Sequence, residues 1–389
     1  MLRAADLQLD AGGDAAALPA RPGVLEFNGR TIDDAIAVVA TGDLRAAHER
    51  RITPAAGRPD LREVVESVRA WVCGSLVEAE MLWLEIARER TPRTYAQALD
   101  RWRGWFIALD PESELPVWSR IDLQEQSEAR VSTPTILGPM ATKDAAKRYG
   151  RALDEVFELC REPELLAKRP NATACIYKEM GQCPAPCDGS EPMEAYRDRA
   201  RAAVTLAREG PAPERARIER EIGAAAAETD FERAAALKPK LEQIGSFGKP
   251  AWRRVTTLDR FAVVLVQPSG RKGWARVLLH ARGNTGWFAD VRADAGDPGV
   301  FAALIDGIED HARPSHGSFD LTPERAERIG LACHHLFHPG RGSGSVLDAS
   351  VRDGVGLDER EFWRAARRAA KIEQDEADLA AGEAESGGG

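Results

Sequence analysis

Several things are scarce in this sequence, and each scarcity narrows what the chain can be. No apolar run comes near the ~20 residues that a bilayer-spanning helix requires; Phe261 to Val266 is among the longest. The opening, MLRAADLQLDAGGDAAALPARPG, has no apolar core of the kind that marks a secretory leader, so a cytoplasmic chain with no membrane partner is expected. An excess of positive charge is also missing. The 53 Lys and Arg stand against 62 Asp and Glu, a net charge of −9, so the chain as a whole is no cationic sleeve for nucleic acid. The segment from Lys371 to Gly389 carries six acids and one base, about five of the nine excess negatives. The rest is close to neutral and leaves room for a local basic face. Tyrosine is rare, and none precedes Tyr95. Cysteine is rare too, at six residues in 389.

Four of those six fall together, at Cys160, Cys175, Cys183 and Cys187, with the spacing C-x14-C-x7-C-x3-C. A segment this short and polar buries little core of its own, so it needs a crosslink or a metal. Thiols in a reducing compartment stay reduced, and clustered ones there usually bind metal. Thiolates hold zinc or an iron–sulfur cluster. Only Cys183 and Cys187 form a tight pair, and that spacing suits either metal.

The surrounding residues carry a resemblance. TACIYKEMGQCPAPCDG, with Cys175, Tyr177, Gly181, Cys183, Pro186 and Cys187 in register, resembles the cysteine-rich segment of the UvrC family, the incision component of the UvrABC excinuclease in bacterial nucleotide excision repair. The loop from Cys160 to Cys175 is slightly longer than is usual there. The resemblance implies a [4Fe–4S] cluster on the four cysteines, with zinc as the alternative.

The first hundred residues follow the same family, which opens with a GIY-YIG nuclease domain, a small antiparallel sheet with flanking helices. LPARPGVL from Leu18 and AVVATGDLR from Ala37 keep its frame. Val24 to Phe27 and Ala35 to Ala40 read as strands joined by an Asn28-Gly29 turn. Asp60 to Arg69 and Glu78 to Arg90 read as helices, the second apolar at Met81, Leu82, Leu84 and Ile86. The catalytic chemistry is not kept. The two motif tyrosines fall on Leu25 and Ala37, the catalytic arginine on Ala47, and the metal-binding glutamate on Trp83. Glu80 and Glu85 are near in sequence, but two or three residues of helix turn a side chain by about 160° or more. Phosphodiester cleavage needs an activated nucleophile, a metal and a cation at the phosphate. Leu, Ala and Trp supply none of these, and Arg45, Arg50 and Arg51 are left to meet DNA.

A second signature lies at Pro213 to Phe247. Apolar or small residues recur at Ile218, Ile222, Ala225, Ala226, Phe231, Ala234, Ala235, Leu237, Leu241 and Ile244, the 3–4 spacing of two amphipathic helices turning at Thr229-Asp230. DFERAAALK is similar to the UVR motif through which UvrC meets the UvrB helicase subunit. That makes Phe231, Glu232, Ala235, Leu237 and Leu241 the expected partner surface, with Phe231 anchoring the turn. Pro239 departs from the motif and should bend or shorten the second helix. The order of cysteine segment, helix from Glu194 and hairpin is also that of the family.

Beyond the hairpin, Arg260 to Val291 reads as two or three strands with turns at Pro268-Ser269-Gly270 and Gly283-Asn284. The family's ribonuclease H-type domain has no counterpart in the pattern, and Asp297 to Ala370 reads as helical. There Cys333, His334, His335 and His338 cluster at a helix end stopped by Pro339-Gly340. His334 and His338 share a face and could hold a metal, but the local pattern offers no acid.

The expected architecture is α+β and multidomain. It comprises a disordered tail over 1–17, a GIY-YIG-like sheet domain over 18–100 and a connector over 101–141. A four-cysteine region over 142–210, a helical hairpin over 211–247 and a β segment over 248–296 follow. A helical part over 297–370 and an acidic disordered tail over 371–389 complete it. The expected function is a non-incising UvrC-like repair component that binds UvrB and, weakly, DNA. The alternatives are an endonuclease with a shifted active site and a metal-binding adaptor outside repair.

Overall fold

Three four-stranded antiparallel sheets organise the protein in a computed structural model. The structure describes residues 5–10, 15–30, 35–53, 61–128, 135–269, 271–294, 296–312, 320–340, 344–352 and 354–371.

The first sheet has the order β1-β4-β2-β3, from β1 (Ala5–Asp10), β2 (Gly23–Asn28), β3 (Ala35–Thr41) and β4 (Ser67–Val72). Two helices cover it. Asp43 caps α1 (Leu44–Ile52) by accepting from the Ala46 amide at 3.0 Å, and Ser75 caps α2 (Leu76–Arg90). Strand alternation sends Leu25, Phe27, Val68 and Ala70 to the α1 face, and Val24 to the α2 face. Three expectations change here. Residues 5–10, assigned to a disordered tail, form the edge strand β1. Asn28 pairs with Ala35, so the β2–β3 connection spans 29–34 and is not a two-residue turn. Asp60 to Arg69 is not a helix. One 3-10 turn at Leu61–Glu63 leads into β4, where burial of Val68 and Ala70 has period two.

After α3 (Pro92–Leu99), the second sheet has the order β6-β5-β7-β8. It holds β5 (Trp105–Leu109), β6 (Ser119–Ile121), β7 (Thr135–Met140) and, from far along the chain, β8 (Thr256–Thr257), with α4 (Leu123–Glu128) between β6 and β7. The stretch expected as a connector is therefore the floor of the middle domain. Ile107, Leu109, Leu137 and Met140 share one core with α5 (Lys143–Val156) and α8 (Met193–Glu209). Two single-turn helices, α6 (Pro163–Leu166) and α7 (Ile176–Glu179), lie between those two. The hairpin of α9 (Ala212–Ala227) and α10 (Phe231–Phe247) seats Ile218, Ile244 and Phe247 in the same core. Thr229 makes the turn at φ 59°, and the Asp230 carboxylate caps α10 through the Arg233 amide. α10 runs unbroken through Pro239 to Phe247, so the helix does not end early.

The third sheet, order β11-β10-β9-β12, joins β9 (Ala262–Pro268), β10 (Trp274–Ala281) and β11 (Asn284–Arg292) to β12 (Ser345–Asp348). Ala281 pairs with Asn284, so Arg282-Gly283, both at positive φ, make the two-residue turn. Against this sheet lie α11 (Pro298–Ala312), α12 (Pro323–Phe337), the small β13 (Val351–Arg352) and β14 (Gly354–Val355) hairpin, and a last helix, α13, over 359–371. The expected boundary at 296/297 therefore divides one unit, because β12 pairs with β9 across about eighty residues. Of the expected acidic tail, 372–389 lies outside the described residues.

Candidate functional site

The four cysteines are positioned by the middle core. α5 ends at Val156, and Cys160 follows on a loop with its amide donating to the Tyr196 hydroxyl at 3.3 Å. That hydroxyl in turn donates to the Pro116 carbonyl at 2.9 Å, fixing the loop to the sheet side. Cys175 is the residue before α7, and Cys183 and Cys187 flank a tight loop in which Ala185 takes a left-handed φ of 64°. The Ala185 amide donates to the Cys183 sulfur at 3.4 Å, and the Cys187 carbonyl accepts from Ala172 at 3.1 Å. Outside this loop, Lys178 pairs with Asp188, which holds that carboxyl down at about 2.

All four cysteines are free thiols, and Cys160, Cys183 and Cys187 are buried. Burial pushes the Cys160 thiol up to about 12, and the other three sulfurs add to the rise by charge repulsion. Burial and the neighbouring thiols raise Cys183 and Cys187 as well. Thiols held protonated chiefly by burial ionise more readily where a bound cation supplies the opposite charge. Among the described residues, however, no three His, Cys, Asp or Glu side chains stand as ligands of one metal ion. A single tetrahedral zinc with Zn–S bonds of about 2.3 Å brings its sulfurs to about 3.8 Å of one another. The four thiols are not closed on one ion.

The positions aligned with nuclease residues do not meet at one place. Leu25 and Ala47 are buried in the cluster under α1, with Ala37 at its edge. Trp83 lies on α2 across the sheet, donates its indole N–H to the Val38 carbonyl at 2.8 Å, and stacks on Tyr95. Glu80 and Glu85, the nearby carboxylates, bond His335 and Arg328 of α12. Arg50 and Arg51 line a cavity of about 580 Å³ with Ala37 and Ala47; Arg45 instead donates to the Leu18 carbonyl.

On the hairpin, Phe231 is 68% exposed, so it does not anchor the turn. Glu232 and Ala235 are exposed beside it, while Leu237 and Leu241 pack partly against the middle core. The expected partner surface thus splits into an open tip and a half-covered flank.

The histidine cluster also splits. His334 and His338 stack with centroids 5.0 Å apart, while buried His335 turns inward to Glu80. Cys333 is buried, which raises its thiol, and it makes no common site with the histidines. The acid missing from the local pattern comes from α2, about 250 residues away. Sequence reasoning missed this seam altogether. Ser75, Glu78 and Gln267 form a buried hydrogen-bonded knot there, and Tyr95 and Arg88 both bond Glu327. No local pattern announces such pairs.

The geometry defines a multidomain α+β protein whose middle module carries four free cysteines and a projecting helical hairpin. Residues 112–206, from just before β6 to near the end of α8, match the family model "UvrC/Cho excinuclease, middle domain". Three UvrABC system protein C relatives extend the likeness. That of Natronomonas pharaonis is 28% identical over 239 residues, 60% of this chain and 39% of its own length. That of Syntrophotalea carbinolica is 28% identical over 192 residues, 48% and 30%. That of Anaeromyxobacter dehalogenans is 29% identical over 240 residues, 58% and 32%. The chain is UvrC-like, and it spans well under half the length of these relatives. No solved structure matches it.

Proposed function

We propose that the protein is a component of nucleotide excision repair that binds DNA and a UvrB-type helicase and does not itself incise. The observation that carries the reading is the UvrC-type middle domain followed directly by a hairpin whose tip holds Phe231 in solvent. A large aromatic left exposed beside charged neighbours is a natural anchor for a partner. Relatives named for the UvrABC system make a UvrB-type hairpin the fitting occupant.

The absence of incision rests on Leu25, Ala37, Ala47 and Trp83. A shifted-register nuclease would call on Glu80 or Glu85, and both are engaged by α12. Cys160, Cys175, Cys183 and Cys187 are the donors for a [4Fe–4S] cluster, which would tie the loop to the middle core. The preference for a cluster over one zinc rests on the resemblance carried by TACIYKEMGQCPAPCDG.

Full-length protein purified without oxygen should be brown, should capture UvrB, and should leave supercoiled plasmid unnicked with magnesium or manganese. Nicking lost in Glu85→Ala would establish the shifted-site endonuclease instead. Colourless protein with one bound zinc and no UvrB capture would favour a metal-binding adaptor outside repair.

A further inference from the structure

A groove of about 560 Å³ lies in the C-terminal unit, outside the segment that matches the UvrC middle domain. One wall is α13, presenting Glu361, Arg364, Ala365, Arg368 and Ala369. The other is the end of α12 with Pro339 and Gly340, and Arg254 stands at the rim with its guanidinium 5.5 Å from the Phe337 ring centre. The floor is the edge strand β12 with Val266 of β9.

Its charge is unbalanced. Three arginines face the groove against one carboxylate, Glu361, in a chain of net charge −9. Among the described residues none of the three arginines makes an ion pair. Many of the chain's other arginines do: Arg88 with Glu324 and Glu327, Arg199 with Glu191, Arg201 with Glu112, Glu194 and Asp198, Arg217 with Glu214 and Glu221. Exposed Arg364 and Arg368, gathered at one groove with Arg254, make a local positive potential that attracts a polyanion.

We propose that this groove binds the sugar–phosphate backbone of DNA through Arg254, Arg364 and Arg368. The proposal takes its ligand from the repair reading above and gives it a place. Arg364 and Arg368 are four residues apart on one helix, so their Cα atoms rise by about 6 Å and can meet successive phosphates. The guanidinium fork bonds phosphate oxygens in pairs, and both arginines stand exposed on α13 while Ala365 and Ala369 beside them are buried in the core. The apolar floor suits the sugar edge. An acidic peptide on the free edge of β12 is the competing occupant, and it is given its own arm in the test.

The experiment is fluorescence anisotropy of full-length protein with a labelled DNA duplex across a salt series, for wild type, Arg364→Ala/Arg368→Ala and Arg364→Lys/Arg368→Lys. Thermal midpoints serve as the fold control, and UvrB capture is measured on the same samples. The alanine pair should bind about tenfold or more weakly at low salt. Its log K against log salt slope should fall by about 2, since each phosphate contact contributes about 0.9. The lysine pair should keep most of that slope. The thermal midpoint of the alanine pair should stay close to wild type, because both side chains are exposed. A folded alanine pair with unchanged slope overturns the groove, as does wild-type protein that binds no duplex. So does a polyglutamate peptide that competes better than DNA of equal charge, which would assign the groove to an acidic protein. If UvrB capture survives while the groove fails, the repair reading stands without it; loss of capture in wild type strikes the repair reading itself.

Discussion

Single residues on the middle domain make three separable demands on experiment. Asp154, on α5, is almost fully buried and accepts from the Trp118 indole at 2.8 Å. Burial lifts its carboxyl to about 7. Its folded pKa therefore lies above the unfolded value of about 3.9, so its contribution is fully present below about pH 4 and is lost as pH rises through 7. Asp154→Asn keeps the acceptor for Trp118. It should match wild type in denaturant unfolding near pH 4 and exceed it at pH 8, by on the order of 4 kcal/mol at most. Cys183→Ser tests the thiol set. If metal binding at the four cysteines doubles as folding energy, hydrogen exchange across 160–187 should rise and metal content fall, while Cys73→Ser and Cys333→Ser leave the metal in place. Phe231→Ala should change stability by no more than about 0.5 kcal/mol, because an exposed ring has little packing to lose. It should nonetheless abolish capture of the UvrB hairpin. A large stability loss with capture intact would make the ring structural.

At the scale of elements, Pro239 gives the clearest case. It sits exposed on the outer side of α10, and the helix continues on both sides of it. A proline ring that points to solvent can be accommodated by a gentle bend, whereas one facing a packed neighbour cannot. Pro239→Ala should therefore stabilise the helix, by up to about 3 kcal/mol, read as a higher thermal midpoint. Elements with a strong local rhythm were legible in the sequence: α2, α8, α9, α10 and the β9–β10–β11 meander lie within a few residues of expectation. Those defined by distant partners were not. β1 pairs with β4 some sixty residues on, and β12 with β9 some eighty. β5 to β7 read as a strand-rich connector; what the local pattern did not carry is their joining with distant β8 into one sheet. For the site, the cysteine quartet and the hairpin were visible as motifs. The seam that holds Glu80 and Glu85 was not, since its other half lies on α12.

The whole molecule is tied together by that seam. Val24, Trp83, Leu84 and Trp102 from the N-terminal part share one core with Leu265, Leu278 and Leu331 from the C-terminal unit. Glu78, buried at its centre, accepts from the Gly74 amide at 2.6 Å and from Gln267 at 3.0 Å, and burial raises its pKa. A fragment over 1–140 would expose all of this, so the N-terminal sheet is not an independent module and its activity is to be measured in the full chain. Leu331→Ala, at a fully buried position, should cost about 2–5 kcal/mol. It should also raise hydrogen exchange in β2 and β9 together; a change confined to α12 would mean that the two parts unfold separately.

The hairpin has the opposite character. Its base is riveted by Ile218, Ile244 and Phe247, while its turn stands clear at Thr229. A glutamate-specific protease should therefore nick the chain at Glu228 long before it reaches the core. The two pieces should then travel as one particle on a sizing column and separate only in denaturant.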